Sequence, residues 1–220
     1  MCGISGIFTK SQNYSRIEKL LNLSLQKLTN RGPDDEGIEK FQINEGNLLL
    51  GHARLSIIDL SKNGHQPMTS ESGRYVVTFN GEIYNYLELR ETLTNYGYIF
   101  KTNTDTEVLL NSWDFWGKES ISKFKGMFAF AIYDLKKKEL NLVRDSFGIK
   151  PIYYKLDKNF QFLSFSSELP SLLILSEEKT TLNKQATFDY LIGKSYDLSQ
   201  DTFFEECKSL LPGQLIHFDL

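Results

Sequence analysis

The chain begins Met1-Cys2-Gly3-Ile4-Ser5-Gly6-Ile7-Phe8, residues 1–8, MCGISGIF. A small residue behind the initiator methionine permits its removal by an aminopeptidase, and Cys2 would then carry a thiol and a free α-amine on one residue. An α-amine has a reference pKa of about 8, so an appreciable fraction is neutral at pH 7 and can act as a base. Such a residue holds nucleophile and base together, with no histidine required. The alternative is a cysteine that serves only as a small apolar residue at a chain end. The run Ile4–Phe8 has the apolar character of a strand. Gly3 and Gly6 fit close packing against a neighbouring strand, since they do not make a GxGxxG phosphate loop.

Outward from that strand, 220 residues with 40% hydrophobic and 24% charged side chains describe one domain able to bury a sizeable core. A net charge of -3 gives no support to a nucleic-acid or polybasic membrane surface. The sequence shows neither a secretory signal nor eighteen continuous apolar residues, so a cytoplasmic location is expected. Cys2 and Cys207 are too few for a disulfide framework or a zinc cluster, and His52, His65 and His217 lack metal-ligand spacing. No metal is expected.

Residues 15–30 place Ile17, Leu20, Leu21, Leu25 and Leu28 on neighbouring helical turns, with Ser15 and Glu18 at capping-box spacing. Gly32, Pro33 and Gly37 then read as a loop, and residues 47–60 as one or two strands. Residues 75–84 predict a strand running into a turn at Asn80–Gly81. Two further helices are predicted. One starts at Asn85, with Glu88 at cap spacing and Leu89, Leu93 and Tyr96 as its stripe; the other starts at Thr104, with Glu107. Residues 126–134, 139–145, 151–157 and 159–168 are short apolar or aromatic runs between turn signals, the pattern of an antiparallel meander. Residues 169–204 are less periodic and partly helical in expectation, and residues 209–220 supply a last strand. Strands, then helices, then strands favour a layered architecture with substantial antiparallel sheet, and argue against a doubly wound dinucleotide fold.

Several side chains carry latent chemistry. An asparagine amide beside a glycine N–H, as at Asn80–Gly81, can present two converging donors to an oxyanion, although Asn-Gly is also an ordinary turn dipeptide. Arg54 interrupts an apolar strand and must reach solvent, pair with an anion or fork onto a carboxylate. Asp105 begins a helix, where it either complements the unpaired N–H groups or holds an ammonium. His52 reads as a packed or strand-edge residue, Trp113 and Trp116 as packing on their helix. Phe128 and Phe130, alternating with Met127, Ala129 and Ala131, read as a strand buried on both faces.

In order along the chain, MCGISGIF, RGPDDEG, GHARLSIIDL, FNGEIYNYLELR, TDTEVLL, KGMFAFAIYD, RDSFGIKPIYY and SSEL resemble the glutaminase half of glutamine-dependent asparagine synthetases and related class II glutamine amidotransferases. LLPGQLIHFD is similar to the end of that half. The resemblance implies an α+β fold, the four-layer αββα architecture of N-terminal nucleophile hydrolases with two antiparallel sheets between helical layers, over residues 1–220 as one glutaminase domain. It implies Cys2 as nucleophile and its freed amine as base after Met1 removal, with Asn80 and Gly81 as the oxyanion hole. It also implies Arg54 on the glutamine α-carboxylate, Asp105 on its α-amine, and Leu55, Ser56, Ile57, Ile58 and Glu82 lining the same pocket. The reaction so implied converts L-glutamine to L-glutamate and ammonia through a Cys2 thioester.

No cofactor is expected for that step. ATP and Mg2+ belong to the C-terminal ATP-dependent synthetase domain of the family, whose SGGxDS loop has no counterpart in these residues. The implied partners are L-glutamine and either a C-terminal synthetase domain or a separate ammonia-accepting synthetase. A second copy of the chain, forming a homodimer, is a further candidate; nucleic acid and membrane are not. The chain departs from the family pattern at Asn30, where many relatives carry histidine, at Ala53, commonly charged, and after Ser166-Ser167-Glu168, where the usual lysine is missing. Two rival functions remain open at this level: another N-terminal nucleophile amidohydrolase, and a non-catalytic regulatory or interaction domain that keeps the fold.

Overall fold

The opening run becomes β1 (Gly3–Thr9), a strand with every residue buried. Complete burial requires a neighbour on both edges and a layer on both faces. The computed structural model, which describes residues 1–11, 13–43, 46–176, 179–194 and 199–220, supplies all four. β3 (Gly46–Arg54) pairs along one edge and β9 (Phe162–Ser166) along the other, both antiparallel. β2 (Asp35–Ile43) lies outside β3, while β8 (Tyr153–Leu156) and β10 (Cys207–Ser209) lie outside β9, giving the order β10-β8-β9-β1-β3-β2. A second antiparallel sheet runs β11 (Leu215–Asp219), β7 (Glu139–Arg144), β6 (Gly126–Asp134), β5 (Tyr75–Ile83) and β4 (Met68–Thr69).

Three apolar layers weld the sheets and helices. Between the sheets, Ile4, Phe8, Leu48 and Leu50 pack with Ala129, Ala131, Tyr133 and Leu142. On the outer face of the first sheet, Ile17, Leu21 and Leu25 of α1 (Tyr14–Lys27) and Leu172 of α4 (Leu169–Leu175) cover Ile7 and Leu49. On the outer face of the second, Leu89 and Leu93 of α2 (Tyr86–Asn95) and Val108 and Trp113 of α3 (Asp105–Trp116) cover Phe79, Phe128 and Phe130. The result is the four-layer αββα arrangement. Alternate β6 residues enter different layers, Phe128 and Phe130 outward, Ala129 and Ala131 inward, as the two-faced pattern requires. The last helix, α5 (Lys184–Gly193), buries none of its residues. Among the described residues no helix is long and apolar enough to cross a membrane.

Gly6 shows why β1 is spelled as it is. A Cβ there would sit 2.3 Å from the Phe165 ring of β9, and one at Gly3 would sit 2.9 Å from Leu28 Cβ just beyond α1. The first strand is thus pressed against a ring and a helix end, not only against neighbouring backbone.

The structure departs from the sequence expectations at several points. α1 is capped by Asn13, whose side chain accepts from the Arg16 N–H, so Ser15 and Glu18 form no capping box. Asp35 opens β2, so the expected loop is already strand from there. β3 stops at Arg54 and the apolar Ser56–Leu60 segment forms no strand. Asn80 and Gly81 lie within β5, paired with Ala129 and Phe128, and not in a turn. Asn85 stands at the α2 N-cap without a side-chain cap bond, its amide being used by Lys123 and Lys125. Tyr96 lies past the helix and is exposed.

The expected meander is two hairpins, β6–β7 and β8–β9, placed in different sheets. Asp145 drives the split. Its carboxylate accepts from the N–H groups of Phe128, Phe147, Ile149 and Lys150 at 3.0–3.1 Å, folding the chain sharply after β7. By contrast α3 begins as predicted, with Thr104 Oγ1 accepting from the Glu107 N–H. Residues 169–204 contain the two helices α4 and α5; positions 177–178 and 195–198 of that stretch lie outside the described residues.

Candidate active site

Gly3 stands opposite Ala53 in the β1–β3 ladder, so Cys2 and the residues leaving β3 meet at one end of the first sheet. The Leu55 N–H donates to Cys2 Sγ at 3.4 Å, and the thiol lies 3.6 Å from the Leu55 carbonyl. Burial raises the Cys2 pKa above the ordinary thiol value, with the Leu55 N–H pulling the other way. Arg31 Nε donates to the Cys2 carbonyl at 3.0 Å while its Nη1 pairs with Glu168 at 2.9 Å. Nothing in the sequence pattern singled Arg31 out, because its target is a backbone carbonyl 29 residues away. Asp34 was missed for the same reason: it accepts from the Ser56 N–H at 2.7 Å and so shapes the loop after β3.

The facing wall comes from β5. Two hydrogen bonds cross between the sheets, Thr78 Oγ1 to the Gly51 carbonyl and His52 Nε2 to the Phe79 carbonyl, each 3.0 Å. His52 therefore sits in a central strand, fully buried, and burial lowers its pKa to about 4; it is neutral at pH 7. Donation to Phe79 puts the proton on Nε2. Beyond its contact with β4, the free edge of β5 is finished by side chains: Phe79 N–H donates to Gln66 Oε1 at 2.7 Å and Ile83 N–H to Asp105 Oδ2 at 3.0 Å. N–H groups along a strand alternate between its two edges. Gly81, midway between Phe79 and Ile83, thus aims its N–H at the same edge.

A cavity of about 100 Å³ opens between these walls. Cys2, Arg54, Leu55, Ile57, Ile58, Asn80, Gly81, Glu82 and Asp105 all line it. Ser56 does not; its N–H is spent on Asp34 and its side chain lies off the cavity. Both polar atoms of the Asn80 side chain are buried without a partner, the state of a group held ready for a ligand. Arg54 is buried instead of reaching solvent. Its Nη1 donates to the Ser61 carbonyl at 2.9 Å and Nη2 to the Asp59 carbonyl, so the guanidinium also pins the loop that closes the pocket. Asp105 is 6% exposed, and burial pushes its pKa up to about 6. It is a first-turn residue and a cavity residue at once. Ala53, one of the departures from the family pattern, is buried in the apolar layer under α1, where a charge would lack a partner.

Met1 also lines the cavity, with its Sδ 2.8 Å from Lys150 Nζ. While Met1 is present it occupies space beside the thiol and ties the Cys2 nitrogen into a peptide bond. Among the described residues, Glu139, His217 and Asp219 form a group that could hold a metal, but they are on β7 and β11 and do not line this cavity.

Gly81 is fixed by its neighbour strand. A Cβ there would approach the Met127 carbonyl to 2.4 Å and Phe128 Cα to 2.7 Å, both backbone atoms of β6. Gly81→Ala is expected to push β5 away from β6, destabilising the protein by about 1–3 kcal/mol. On the expectation that this N–H receives an oxyanion, its displacement should lower kcat for amide hydrolysis by roughly 100-fold with a smaller change in KM. Denaturant titration and steady-state kinetics on the same preparation check both.

Comparison with known proteins shows the family and the fold. A family model described as a glutamine amidotransferase domain matches residues 1–220. A putative glutamine-hydrolyzing asparagine synthetase of Methanocaldococcus jannaschii is 37% identical over 96% of this chain and 44% of its own length. Asparagine synthetase 1 of Bacillus subtilis, also glutamine-hydrolyzing, is 40% identical over 87% of this chain and 29% of its own. The chain thus spans less than half the length of these curated relatives. Among solved structures, an allosteric regulatory enzyme of purine biosynthesis superposes with a TM-score of 0.68 at 21% identity, over 99% of this chain and 47% of that one, which is a likeness of fold.

Proposed function

The chain belongs to the glutamine amidotransferase family of class II, N-terminal nucleophile type, and from that premise we propose that it hydrolyses L-glutamine at Cys2 and hands the ammonia to an asparagine synthetase-like amidation. The observation that carries the first part is the cavity lined together by Cys2, just ahead of β1, by Asn80 and Gly81 of β5, and by Arg54 and Asp105. A guanidinium and a carboxylate in one small pocket match the two ends of an amino acid.

In the proposed reaction, Met1 has been removed. Cys2 Sγ forms a bond to the side-chain amide carbon, the carbonyl π pair moves onto oxygen, and the thiol proton passes to the Cys2 α-amine. Gly81 N–H and Asn80 Nδ2 hold the oxyanion. Collapse breaks the C–N bond as the α-amine returns its proton to the leaving nitrogen, and ammonia departs. Water then adds to the thioester, giving its proton to the amine; the C–S bond breaks as the ammonium returns that proton to Sγ, and L-glutamate leaves. Arg54 holds the α-carboxylate and Asp105 the α-ammonium, with Glu82, Leu55, Ile57 and Ile58 completing the pocket.

The acceptor is read from the relatives, which are described as glutamine-hydrolyzing asparagine synthetases. ATP and Mg2+ would serve the synthetase that takes the ammonia, whether joined to this domain or separate. Intact-mass measurement and a glutaminase assay on one sample test the proposal. The expected result is a mass short by one methionine residue with glutamate and ammonia released in equal amounts; a processed protein that releases neither overturns it.

A further inference from the structure

Lys150 is 3% exposed, yet among the described residues its ammonium forms no ion pair. Its hydrogen bond runs to Met1 Sδ at 2.8 Å, a weak acceptor on the residue that processing removes. A buried cation with no carboxylate in direct contact is a cost that folds rarely keep without use. Its position is deliberate: the Asp145 carboxylate accepts the Lys150 N–H at 3.0 Å and turns the β7–β8 connection so that this side chain joins Cys2, Gly81 and Glu82 in the cavity wall. The other charged groups around this corner are Arg31 and Asp34 from the α1–β2 connection, Arg54 from β3, Glu82 from β5, Asp105 from α3 and Asp145 in the lysine's own loop.

We propose that Lys150 is a positioning residue for Cys2: its ammonium keeps the α-amine freed by Met1 removal neutral and favours the thiolate over the thiol. A cation opposes a second cation beside it and supports an anion. The one charge therefore helps both halves of a residue that must be base and nucleophile together. Burial, followed by the neighbouring Arg31, holds the lysine itself below its usual range. The proposal rests on the Cys2-centred reading above.

The test uses processed protein and the variants Lys150→Met and Lys150→Arg. In Lys150→Met, the acid limb of the kcat/KM profile for glutamine and the pH midpoint of Cys2 alkylation by iodoacetamide should both move up by about one unit, the size of effect a unit charge has across a small, partly solvated cavity. Lys150→Arg, which keeps the charge, should stay near the wild type. Curves for Lys150→Met that superimpose on wild type overturn the proposal, and so does an equal shift in both variants. Lys150→Gln serves in place of Lys150→Met if the latter does not fold. Alkylation needs no substrate, so a wild-type protein that fails to hydrolyse glutamine sinks the glutaminase reading while the alkylation midpoints still decide the role of Lys150.

Discussion

Cys2→Ala should abolish glutamine hydrolysis, with kcat falling by roughly 10⁴-fold to 10⁶-fold, the scale seen when a covalent nucleophile is removed. The fold should survive. Cys2 is half-buried ahead of the first strand, and among the described residues its sulfur hydrogen-bonds with the Leu55 backbone, so stability should change by less than about 1 kcal/mol. A second form separates the roles of thiol and amine: a protein with an N-terminal extension that keeps Met1 in place. Its thiol is intact and should still react with iodoacetamide. Yet the base is lost into a peptide bond and the methionine side chain stands in the cavity, so hydrolysis should fall at least about 100-fold, the usual size of a general-base contribution. Ammonia release and alkylation are measured on both. Hydrolysis at the wild-type rate by the extended protein would show that the amine takes no part, and hydrolysis by Cys2→Ala that another group attacks.

What could be read from the sequence was local. Thr104 and Glu107 cap α3 because a hydroxyl and an N–H three residues on meet by helix geometry alone. The two-faced burial of β6 follows from consecutive apolar residues too few for a helix. Elements with weak local signals were lost. β2 carries Glu36, Glu39 and Lys40 on an edge strand and so looks like loop. Ser56–Leu60 is apolar enough for a strand, but Ile57 is 66% exposed because it borders a cavity instead of entering a core. Asn80–Gly81 has the composition of a turn, and only its ladder to β6 makes it strand.

The site divides in the same way. Local chemistry singles out Cys2, Arg54, Asn80, Gly81 and Asp105 but leaves each an ordinary structural reading, and their site roles come from the resemblance to the amidotransferase family. Arg31, Asp34, Gln66 and Lys150 are not singled out, since each acts on backbone or on residues far along the chain. Their charge or amide is ordinary until the fold delivers it. Lys150 is the sharpest example: an unremarkable letter between two turn signals becomes a buried cation because Asp145 bends the chain back onto β6.

Asp105→Asn should stabilise the protein at neutral pH and disable it. Burial raises this carboxyl from 3.8 to about 6, so the folded state binds its proton more tightly than the unfolded chain does. The contribution to stability is complete below about pH 4 and is lost as the pH rises through 6. At pH 7.5 the buried carboxylate therefore costs up to about 3 kcal/mol. Favourable first-turn electrostatics, through the Asp105 and Thr106 N–H groups, are already contained in that net shift and keep it from being larger. Asparagine can still accept from the Ile83 N–H through its oxygen. A net gain of about 2 kcal/mol should raise Tm by roughly 4–8 °C at pH 7.5 and by little or nothing at about pH 4. Function should move oppositely. Without an anion opposite the substrate ammonium, kcat/KM for glutamine should fall at least about 100-fold. The same logic predicts that glutamine binding to the otherwise intact Cys2→Ala protein, followed by calorimetry, weakens about tenfold per pH unit below 6 as Asp105 takes up its proton. Binding that is flat from pH 7.5 to 5, or an Asp105→Asn protein that keeps full affinity, would remove Asp105 from the recognition of the α-ammonium.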